Sequence, residues 1–312
     1  MELLVSLITV FIFPGFLFLI IYSLIFEYLD RKLVARLQNR VGPPWYQPLA
    51  DLLKLFGKED IVTKTADQDV FSILPLISLA AVCTSIIYVP IWQTQAAFSF
   101  DGDLVVILYL LLIPNLVGFL AGRFSTSAFT TIGSMRLLTR IFSFEIPLFM
   151  AFLAPAILAE SWSLSEIVAY YSTNPLQILF NLPALIVALI AAQGKLKRVP
   201  FDLSEAKTDI IAGAFSEYSG RLYAFFRLSS HAELVVISSI IAAIFLPFYI
   251  SSPAIGMGLF ILKTLVVLVI LAVFRTVLAK VRIEQMMRLS WRYLVPLSIL
   301  QIVINIVIRG VL

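Results

Sequence analysis

Apolar residues occur along this chain in long runs, not in the short alternations typical of soluble strands and helices. Eight runs approach the length of about 20 residues that a helix needs to cross the hydrocarbon core of a membrane. The pattern predicts an all-α integral membrane protein with one domain, residues 1–312, and about eight transmembrane helices. The predicted spans are approximately Leu3–Phe26, Val70–Trp92, Leu104–Gly122, Ile141–Leu158, Leu176–Ala192, Leu234–Ile250, Gly258–Ala279 and Tyr293–Ile308.

The basic residues alternate strictly between the loops that connect these spans. The loops after the odd-numbered spans hold 21 of the 23 lysines and arginines, whereas the loops after the second, fourth and sixth spans hold none. By the positive-inside rule the odd loops face the cytoplasm, and both termini are expected outside a cell membrane. The alternation also accounts for the net charge of +4, so the charge gives no reason to expect a nucleic-acid partner.

Composition narrows the class of protein further. The chain is 61% hydrophobic and 13% charged, against about 45–50% and about 25% in soluble domains. A soluble enzyme, a secreted disulfide scaffold and a disordered regulator are therefore excluded. The chain holds one cysteine, Cys83, and one histidine, His231, which argues against an iron–sulfur, zinc or haem site. We expect this chain to bind no cofactor or metal, and we place His231, beside Glu233 at a helix start, at the membrane interface.

The two longest cytoplasmic loops, about 27–69 and 193–233, are predicted to form one face where a partner docks. In the first loop, Gly-Pro-Pro ends a helix and Pro48 begins an amphipathic one. Leu49, Leu52, Leu53 and Phe56 share one face of this helix, opposite Asp51 and Lys54. The alternative is a solvated loop with an interfacial helix. The candidates for docking and charge pairing are Arg31, Lys32, Arg36, Arg40, Trp45, Asp51, Lys54, Arg198 and Arg221.

Carboxylates cluster in the second loop. Asp202 and Glu205 have the spacing of a capping box, and Asp209 would then share their helical face, with Glu217 further along. A solvated acidic face is the ordinary interpretation of such a pattern. The apolar residues around it favour a packed segment instead, in which Arg198, Arg221 or Arg227 neutralises the acids. Closely spaced carboxylates spread their pKa values, which suits a proton relay.

Glu145 is the notable ionisable residue inside a predicted span. A carboxylate at the bilayer centre costs about 2.5–3.5 kcal/mol on insertion scales and is by default a functional candidate. The alternative is a position near the interface, with Arg140 or Arg136 as its counter-ion. Lys263 lies near the outer end of its span and is expected to snorkel toward the interface.

Several of these stretches, in the same order, resemble the membrane subunit of respiratory complex I that anchors its hydrophilic arm, the H subunit of NADH-quinone oxidoreductase. The resemblance covers roughly residues 27–226 and the layout of eight helices. Its motifs are Asp30-Arg31-Lys32, Arg40-Val41-Gly42-Pro43, Gln47-Pro48-Leu49-Ala50-Asp51-Leu52-Leu53-Lys54-Leu55-Phe56, Ser143-Phe144-Glu145, Arg198-Val199-Pro200-Phe201-Asp202-Leu203-Ser204-Glu205-Ala206, and Gly213 with Glu217-Tyr218-Ser219-Gly220.

The resemblance implies a subunit that carries no redox group of its own. Its expected partners are the iron–sulfur and catalytic large subunits of a peripheral arm, antiporter-like membrane subunits and the lipid bilayer. Iron–sulfur clusters, and a nickel–iron centre in some members, would belong to those partners. The implied role is to couple redox chemistry to proton or sodium movement, through Glu145, Asp202, Glu205, Asp209, Glu217, Lys195 and Lys207.

Two features favour the hydrogenase-type branch of this family. Residues 41–48 form a compact segment, whereas quinone-reducing members have a longer loop there. Lys195 and Lys207 also replace acids of the family pattern, which puts an ion relay carried over whole from complex I in doubt. The chain is then similar to the M-type subunit of an archaeal membrane-bound hydrogenase or of its sulfur-reducing relative, the sulfane reductase, which is slightly favoured.

Three other functions remain open at this level. The first is a quinone-reducing subunit that lines a quinone chamber. The second is a stand-alone secondary ion transporter, against which the absence of internal repeats counts. The third is a membrane enzyme that acts on lipid, for which Asp67-Gln68-Asp69 is the nearest approach to an acidic metal motif.

Overall fold

The computed structural model is all-helical and describes residues 2–63, 66–203, 213–250 and 252–311. The α-helices in this part of the chain are numbered in order. They are α1 (Glu2–Phe11), α2 (Phe16–Leu37), α3 (Gln47–Phe56), α4 (Gln68–Ser85), α5 (Asp103–Phe124), α6 (Ala128–Ala159), α7 (Leu164–Thr173), α8 (Leu182–Lys195), α9 (Gly220–Phe245), α10 (Pro253–Val277), α11 (Ile283–Leu289) and α12 (Val295–Val311). A π-helical turn, Ser290–Leu294, joins α11 to α12.

Within the described residues, eight helical stretches are long and apolar enough to cross a membrane, which confirms the predicted number. Their bounds differ from the prediction where charged residues lie near a helix end. Helix α2 continues past Phe26 to Leu37, α6 begins at Ala128, and α9 begins at Gly220 instead of Leu234. The interior of the protein neutralises several of those charges, so the helices extend beyond their apolar runs.

Helix α9 lies at the centre of the bundle, packed against α2, α3, α4 and α10. Every residue from His231 to Phe245 is buried. This explains why the helix is apolar on all sides, as expected for a helix surrounded by protein. The prediction that His231 lies at a helix start is wrong, because the helix begins at Gly220 and both His231 and Glu233 are buried inside it.

The bundle has two distinct ends. We call one the α3 end; it comprises α3 and residues 57–63, 196–203, 213–219 and 278–282. The described parts of both long loops that the sequence assigns to the cytoplasm lie there, and Asp60 of the first loop is bound to Arg221 of the second. At the opposite end Arg309 pairs with Glu160, and α7 occupies a stretch predicted as a loop. Arg309, near the end of α12, therefore lies at the end opposite to the α3 end.

Helix α6 is interrupted in its hydrogen bonding beside a key residue. Pro147 has no N–H, so the carbonyl of Ser143, four residues earlier, loses its usual helical donor. The hydroxyl of Ser290, the first residue of the π-helical turn, donates to that carbonyl instead. The chain thus satisfies a buried acceptor two residues away from Glu145 with a side chain from a distant helix.

Candidate functional site

Glu145 lies in α6 with only 6% of its surface exposed. The last residue of α8, Lys195, donates a hydrogen bond to its Oε1 and forms a buried ion pair with it. The side-chain amide of Asn115, in α5, lies 3.3 Å from the same oxygen. The other oxygen, Oε2, is buried and accepts no hydrogen bond from the described residues. Glu145 is therefore an incompletely satisfied carboxylate with one buried cation beside it.

Asn115 connects Glu145 to a second buried carboxylate. Its amide nitrogen lies 3.5 Å from Oε1 of Glu233, in α9, and its amide oxygen accepts a hydrogen bond of 2.9 Å from Arg140. Arg140 and Glu233 are 1% and 2% exposed. We call these five residues, Asn115, Arg140, Glu145, Lys195 and Glu233, the buried cluster. It places two acids and two cations around one amide, inside four helices.

The site has counter-ions that the sequence did not predict. Arg140 and Arg136 were the expected counter-ions of Glu145 in the interfacial alternative, but Lys195 is bound to it. Lys195 is the position at which the resemblance led us to expect an acid. In this chain the lysine thus neutralises Glu145 directly, because α8 ends where α6 carries the carboxylate.

A second ionic site, around Asp30, lies near the α3 end. Asp30 is fully buried in α2, and both of its oxygens accept hydrogen bonds from Arg198, at 2.9 and 3.0 Å. Arg275, at the end of α10, adds a third bond of 2.7 Å. One carboxylate thus holds together α2, α10 and the loop after α8.

Two cavities lie between the α3 end and the buried cluster. A polar cavity of about 390 Å³, which we call the basic cavity, opens between α2, α9, α10 and residues 196–202. A smaller cavity of about 30 Å³, with room for about two water molecules, shares Lys197, Arg227 and Ser230 with it and reaches Glu233. The two cavities outline a polar route from the α3 end to the buried cluster.

His231 and Glu27 face each other at the wall of the basic cavity. Nδ1 of His231 lies 3.4 Å from Oε2 of Glu27. The other carboxylate oxygen of Glu27, Oε1, accepts a hydrogen bond of 2.7 Å from Arg31. The only histidine of the chain therefore lies beside the basic cavity, paired with a carboxylate.

The predicted docking residues lie at or near the α3 end, but they play different parts. Arg31 donates to Asp51 at 2.8 Å, which ties α2 to α3. Burial raises the pKa of the Asp51 carboxyl, but the bonds from Arg31 and Gln47 outweigh it and the pKa is lowered. Trp45 is 75% exposed, Lys32 is half-buried, and the remaining exposed cations of this set are Arg36, Arg40 and Lys54.

Helix α3 does not present its predicted apolar face as one unit. Leu52 is buried against Ala224 and Leu228 of α9, whereas Leu49 and Leu53 are exposed. Helix α3 packs along α9. One apolar stripe of α3 is therefore buried against the bundle, and a second apolar stripe is exposed.

The predicted charge partners of the second loop bind elsewhere. Arg198 pairs with Asp30, and Arg221 pairs with Asp60 at 2.7 Å. Asp202 instead accepts a bond of 3.3 Å from Lys280, at the edge of the basic cavity. Burial raises the pKa of Asp60, but the hydrogen bonds and charge of Arg221 outweigh it and the pKa is lowered. These pairings join parts of the chain that are far apart in sequence.

Five predicted ion-coupling residues stay outside the buried cluster or outside the described structure, and the first, Asp202, lies at the basic cavity. Glu205, Lys207 and Asp209, with the helix predicted to begin at Asp202, fall in residues 204–212, which lie outside the described residues. Glu217 is half-buried in the turn before α9. Of the seven predicted residues, the structure brings only Glu145 and Lys195 into direct contact within the part of the chain that it describes.

Sequence reasoning missed Glu233, Asn115 and Asp30 as members of these sites. Glu233 directly precedes an apolar run. An acidic residue inside a membrane-spanning helix, here the helix that begins at Gly220, is the feature that could have indicated a functional site. Asn115 lies within the third predicted span, where a buried amide is itself unusual. Asp30 was noted only as part of a motif, and its bond to Arg198 spans 168 positions.

Comparison with known proteins identifies the family. The profile of the NADH dehydrogenase family matches residues 8–306. The H subunit of NADH-quinone oxidoreductase from Dehalococcoides mccartyi is 36% identical over 303 residues, covering 92% of this chain and 83% of that protein. The corresponding protein of Geobacillus kaustophilus is 33% identical over 296 residues, covering 90% of this chain and 87% of that one.

A solved structure has the same fold. A chain of the membrane-bound sulfane sulfur reductase, an archaeal respiratory membrane complex, aligns with a TM-score of 0.83 at 24% identity. The alignment covers 93% of this chain and 97% of that one. The shared fold and the matched sequence agree with the resemblance inferred from the motifs. The chain belongs to the NADH dehydrogenase family, among multi-pass membrane proteins that include the H subunit of NADH-quinone oxidoreductase.

Proposed function

We propose that this chain is the non-redox subunit of a respiratory membrane complex that couples redox chemistry in partner subunits to movement of protons or sodium ions. The observation that carries the proposal is the buried cluster. Two carboxylates and two cations lie together inside the membrane-spanning bundle, where an ionisable group is costly and is usually retained for a function.

The buried cluster is suited to changing its protonation. Oε1 of Glu145 accepts a hydrogen bond from Lys195, whereas Oε2 has no donor among the described residues. Within the same part of the chain, Glu233 has a long contact with Asn115 in place of a close ion pair. Electrostatic interactions are strong in surroundings of low dielectric. A proton or cation added to one of the two acids therefore strongly changes the electrostatic potential at the other. A shift in charge near Glu233 would therefore be transmitted to Glu145 and Lys195 across Asn115.

The basic cavity and the smaller cavity support a supply route from the α3 end. They reach Glu233 past Lys197, Arg227 and Ser230. A partner docked at the α3 end would close the basic cavity, and its redox changes would act on the charges that line it. The predicted residue Asp202, which lines the basic cavity, then belongs to the approach to the cluster.

The α3 end supports the docking of soluble partners. Val41 and Trp45 are 88% and 75% exposed next to an apolar stripe of α3 that no described residue covers. We propose that iron–sulfur and catalytic large subunits bind here, and that antiporter-like subunits adjoin the bundle within the membrane. The names of the relatives, subunits of NADH-quinone oxidoreductases, support membership of such an assembly.

For the redox chemistry we propose hydrogen evolution or the reduction of polysulfide in the partner subunits. The compact 41–48 segment supports this assignment over a quinone-reducing one. The structure places that segment between α2 and α3, where residues 40–44 have no regular secondary structure. A longer loop at this place would be needed to enlarge a chamber against the partner.

The test compares two variants of the buried cluster in the assembled complex, reconstituted in liposomes. Glu145→Gln and Glu233→Gln keep the shape of each side chain and remove its charge. We expect both complexes to assemble and to transfer electrons from a soluble donor, while ions moved per electron fall to a small fraction of the wild-type value. The matched control is Glu284→Gln, at an exposed glutamate of α11.

Ion movement is measured as the pH or sodium gradient formed per electron transferred. Wild-type stoichiometry in Glu145→Gln would show that Glu145 is structural and would remove the buried cluster from the mechanism. A loss of electron transfer and ion movement together, with intact assembly, would place these acids in the redox reaction instead of the coupling.

A further inference from the structure

The basic cavity is lined by an excess of cations. Among the described residues, five cationic side chains and two carboxylates line it, together with His231. The carboxylates are Glu27 and Asp202. The cations come from the loop after α8, from α9 and from the end of α10: Lys197, Arg198, Arg227, Arg275 and Lys280.

Most of these cations have a partner, but Arg227 has none among the described residues. Arg198 and Arg275 share Asp30, and Lys280 binds Asp202. Arg227 is half-buried and has no ion pair or hydrogen bond with any described residue. It lines the basic cavity and the smaller cavity alike. A guanidinium that is partly removed from water without an anion is unfavourable, and none of the described residues that line the cavity supplies Arg227 with a negative charge.

The missing charge has a definite chemistry. A guanidinium presents a planar fork of N–H donors that matches two oxygens of a carboxylate or phosphate. The cavity volume of about 390 Å³ is within the range of small-ligand sites and far above the ~10–15 Å³ needed to hold one water molecule. Its walls are formed by α2, α9, α10, Lys280 and residues 196–202, beside the α3 end.

We propose that the basic cavity is an oxyanion site that binds a phosphate group, with Arg227 as its principal ligand. The phosphate can be free in solution or part of an anionic lipid headgroup, since both present the same oxygens. The proposal concerns binding alone, and it stands or falls separately from the coupling role of Glu145.

The test measures the electrostatic potential and the occupancy of the cavity from inside. Ser230 lines both cavities, and Ser230→Cys is a small change. The variant complex, in phosphatidylcholine nanodiscs, is treated with an anionic or a cationic methanethiosulfonate, and modification at position 230 is read by mass spectrometry. Relative to a free thiol, we expect the anionic reagent to react at least about tenfold faster than the cationic one.

Inorganic phosphate is the probe for occupancy. At constant ionic strength, phosphate should slow the anionic reagent with saturation, whereas chloride should not. Adding Arg227→Gln should weaken this protection about tenfold, as expected when a charge-assisted hydrogen bond is lost. Arg227→Lys should retain part of it. The matched control is Arg288→Gln, which removes an exposed cation of α11 and should change nothing.

A second set of nanodiscs distinguishes the two sources of phosphate. Protection without added phosphate that appears only with phosphatidylglycerol assigns the site to lipid, and protection by free phosphate in phosphatidylcholine assigns it to a soluble anion. Equal rates for the two reagents, or equal protection in Arg227→Gln and Arg288→Gln, would overturn the proposal.

A measurement without the cysteine substitution covers the case in which Ser230→Cys does not assemble. The unfolding temperature of the wild-type complex should rise with phosphate more than with gluconate at equal ionic strength. The rise should shrink in Arg227→Gln and persist in Arg288→Gln. The same rise in all three complexes would equally overturn the site.

Discussion

Asp30 and Glu145 are both buried carboxylates on membrane helices, yet their surroundings differ completely. Asp30 accepts three hydrogen bonds from two guanidinium groups, and both of its oxygens are used. Glu145 uses one oxygen, with Lys195 and Asn115, and leaves the other without a donor among the described residues. Charge, helix and burial alone therefore do not tell a structural acid from a functional one.

The difference lies in what protonation would do. Loss of the negative charge of Asp30 would leave Arg198 and Arg275 facing each other without a counter-ion, and the three bonds to Asp30 that join three parts of the chain would weaken. A proton on Glu145 has a free oxygen to occupy and needs only Lys195 to adjust. Complete hydrogen bonding indicates a structural acid, and incomplete hydrogen bonding indicates one that can exchange charge.

The largest effect is expected from Asp30→Asn. Removing one member of a buried ionic group costs about 3–5 kcal/mol, and the lower end applies because the Arg275 side chain is 35% exposed. We expect a lower unfolding temperature and a lower yield of assembled complex. Thermal unfolding of the purified complex measures this, with Asp101→Asn, at an exposed position of the opposite end, as the control. An unfolding temperature equal to that of the control would show that Asp30 does not hold the α3 end together.

A smaller and non-additive effect is expected in the buried cluster. Glu145→Gln leaves Lys195 an amide oxygen to donate to, and Lys195→Met leaves Glu145 the amide of Asn115, so each variant costs about 1–3 kcal/mol, less than the loss of Asp30. The double variant removes both charges and should be more stable than the sum of the single effects predicts, by about 1–3 kcal/mol. Chemical unfolding of the four proteins completes the cycle. Strictly additive losses would mean that the two side chains do not interact in the folded protein.

The smallest effect is expected from Asp60→Ala, since the Arg221 side chain is 65% exposed and surface pairs contribute at most about 1 kcal/mol. The Arg221 N–H donates to Asp60 at 2.6 Å, so hydrogen exchange in the first turn of α9 should become faster. Asp69→Ala is the control, at an exposed site.

This pair also has a defined pH dependence. The pKa of Asp60 is lowered in the folded protein, so its stabilising contribution is fully present above the ordinary value of about 3.9 and is lost as the pH falls through the lowered value. The difference in exchange between Asp60→Ala and wild type should therefore be constant from pH 7 to about pH 5 and shrink below about pH 4. A difference that instead grows on acidification would contradict the pairing.

The number of spans was predictable because apolar length alone decides which segments cross a membrane. The ends of the spans were not predictable, because each predicted span ended where its apolar run ended. In the structure the helices continue through charged residues that have partners inside the protein. Helix α2 continues through Glu27, Asp30 and Arg31, whose partners lie on α9, α10, α3 and the loop after α8. Single residues do not reveal partners that lie more than a hundred positions away.

The same limit applied to the candidate site. Glu145 was predictable as an acid inside an apolar run, and Lys195 as a departure from the family pattern. Their contact depends on where α8 ends beside α6, which no local pattern encodes. Glu233 escaped attention because it lies at the edge of an apolar run, and only its place opposite Asn115 gives it a role.

The missing hydrogen bond at Pro147 makes this the position at which α6 can bend. The segment 128–146, which carries Arg140 and Glu145, meets the segment 147–159 at a joint that lacks one helical bond. Ser290 closes that joint from outside the helix by donating to the Ser143 carbonyl. Bending of α6 at Pro147 would first break the bond from Ser290. This bond therefore links α6, which carries Glu145, to the terminal helical segment that begins at Ser290. A displacement of that terminal segment would thus reach the carboxylate as a change in its position, with no change of charge along the way.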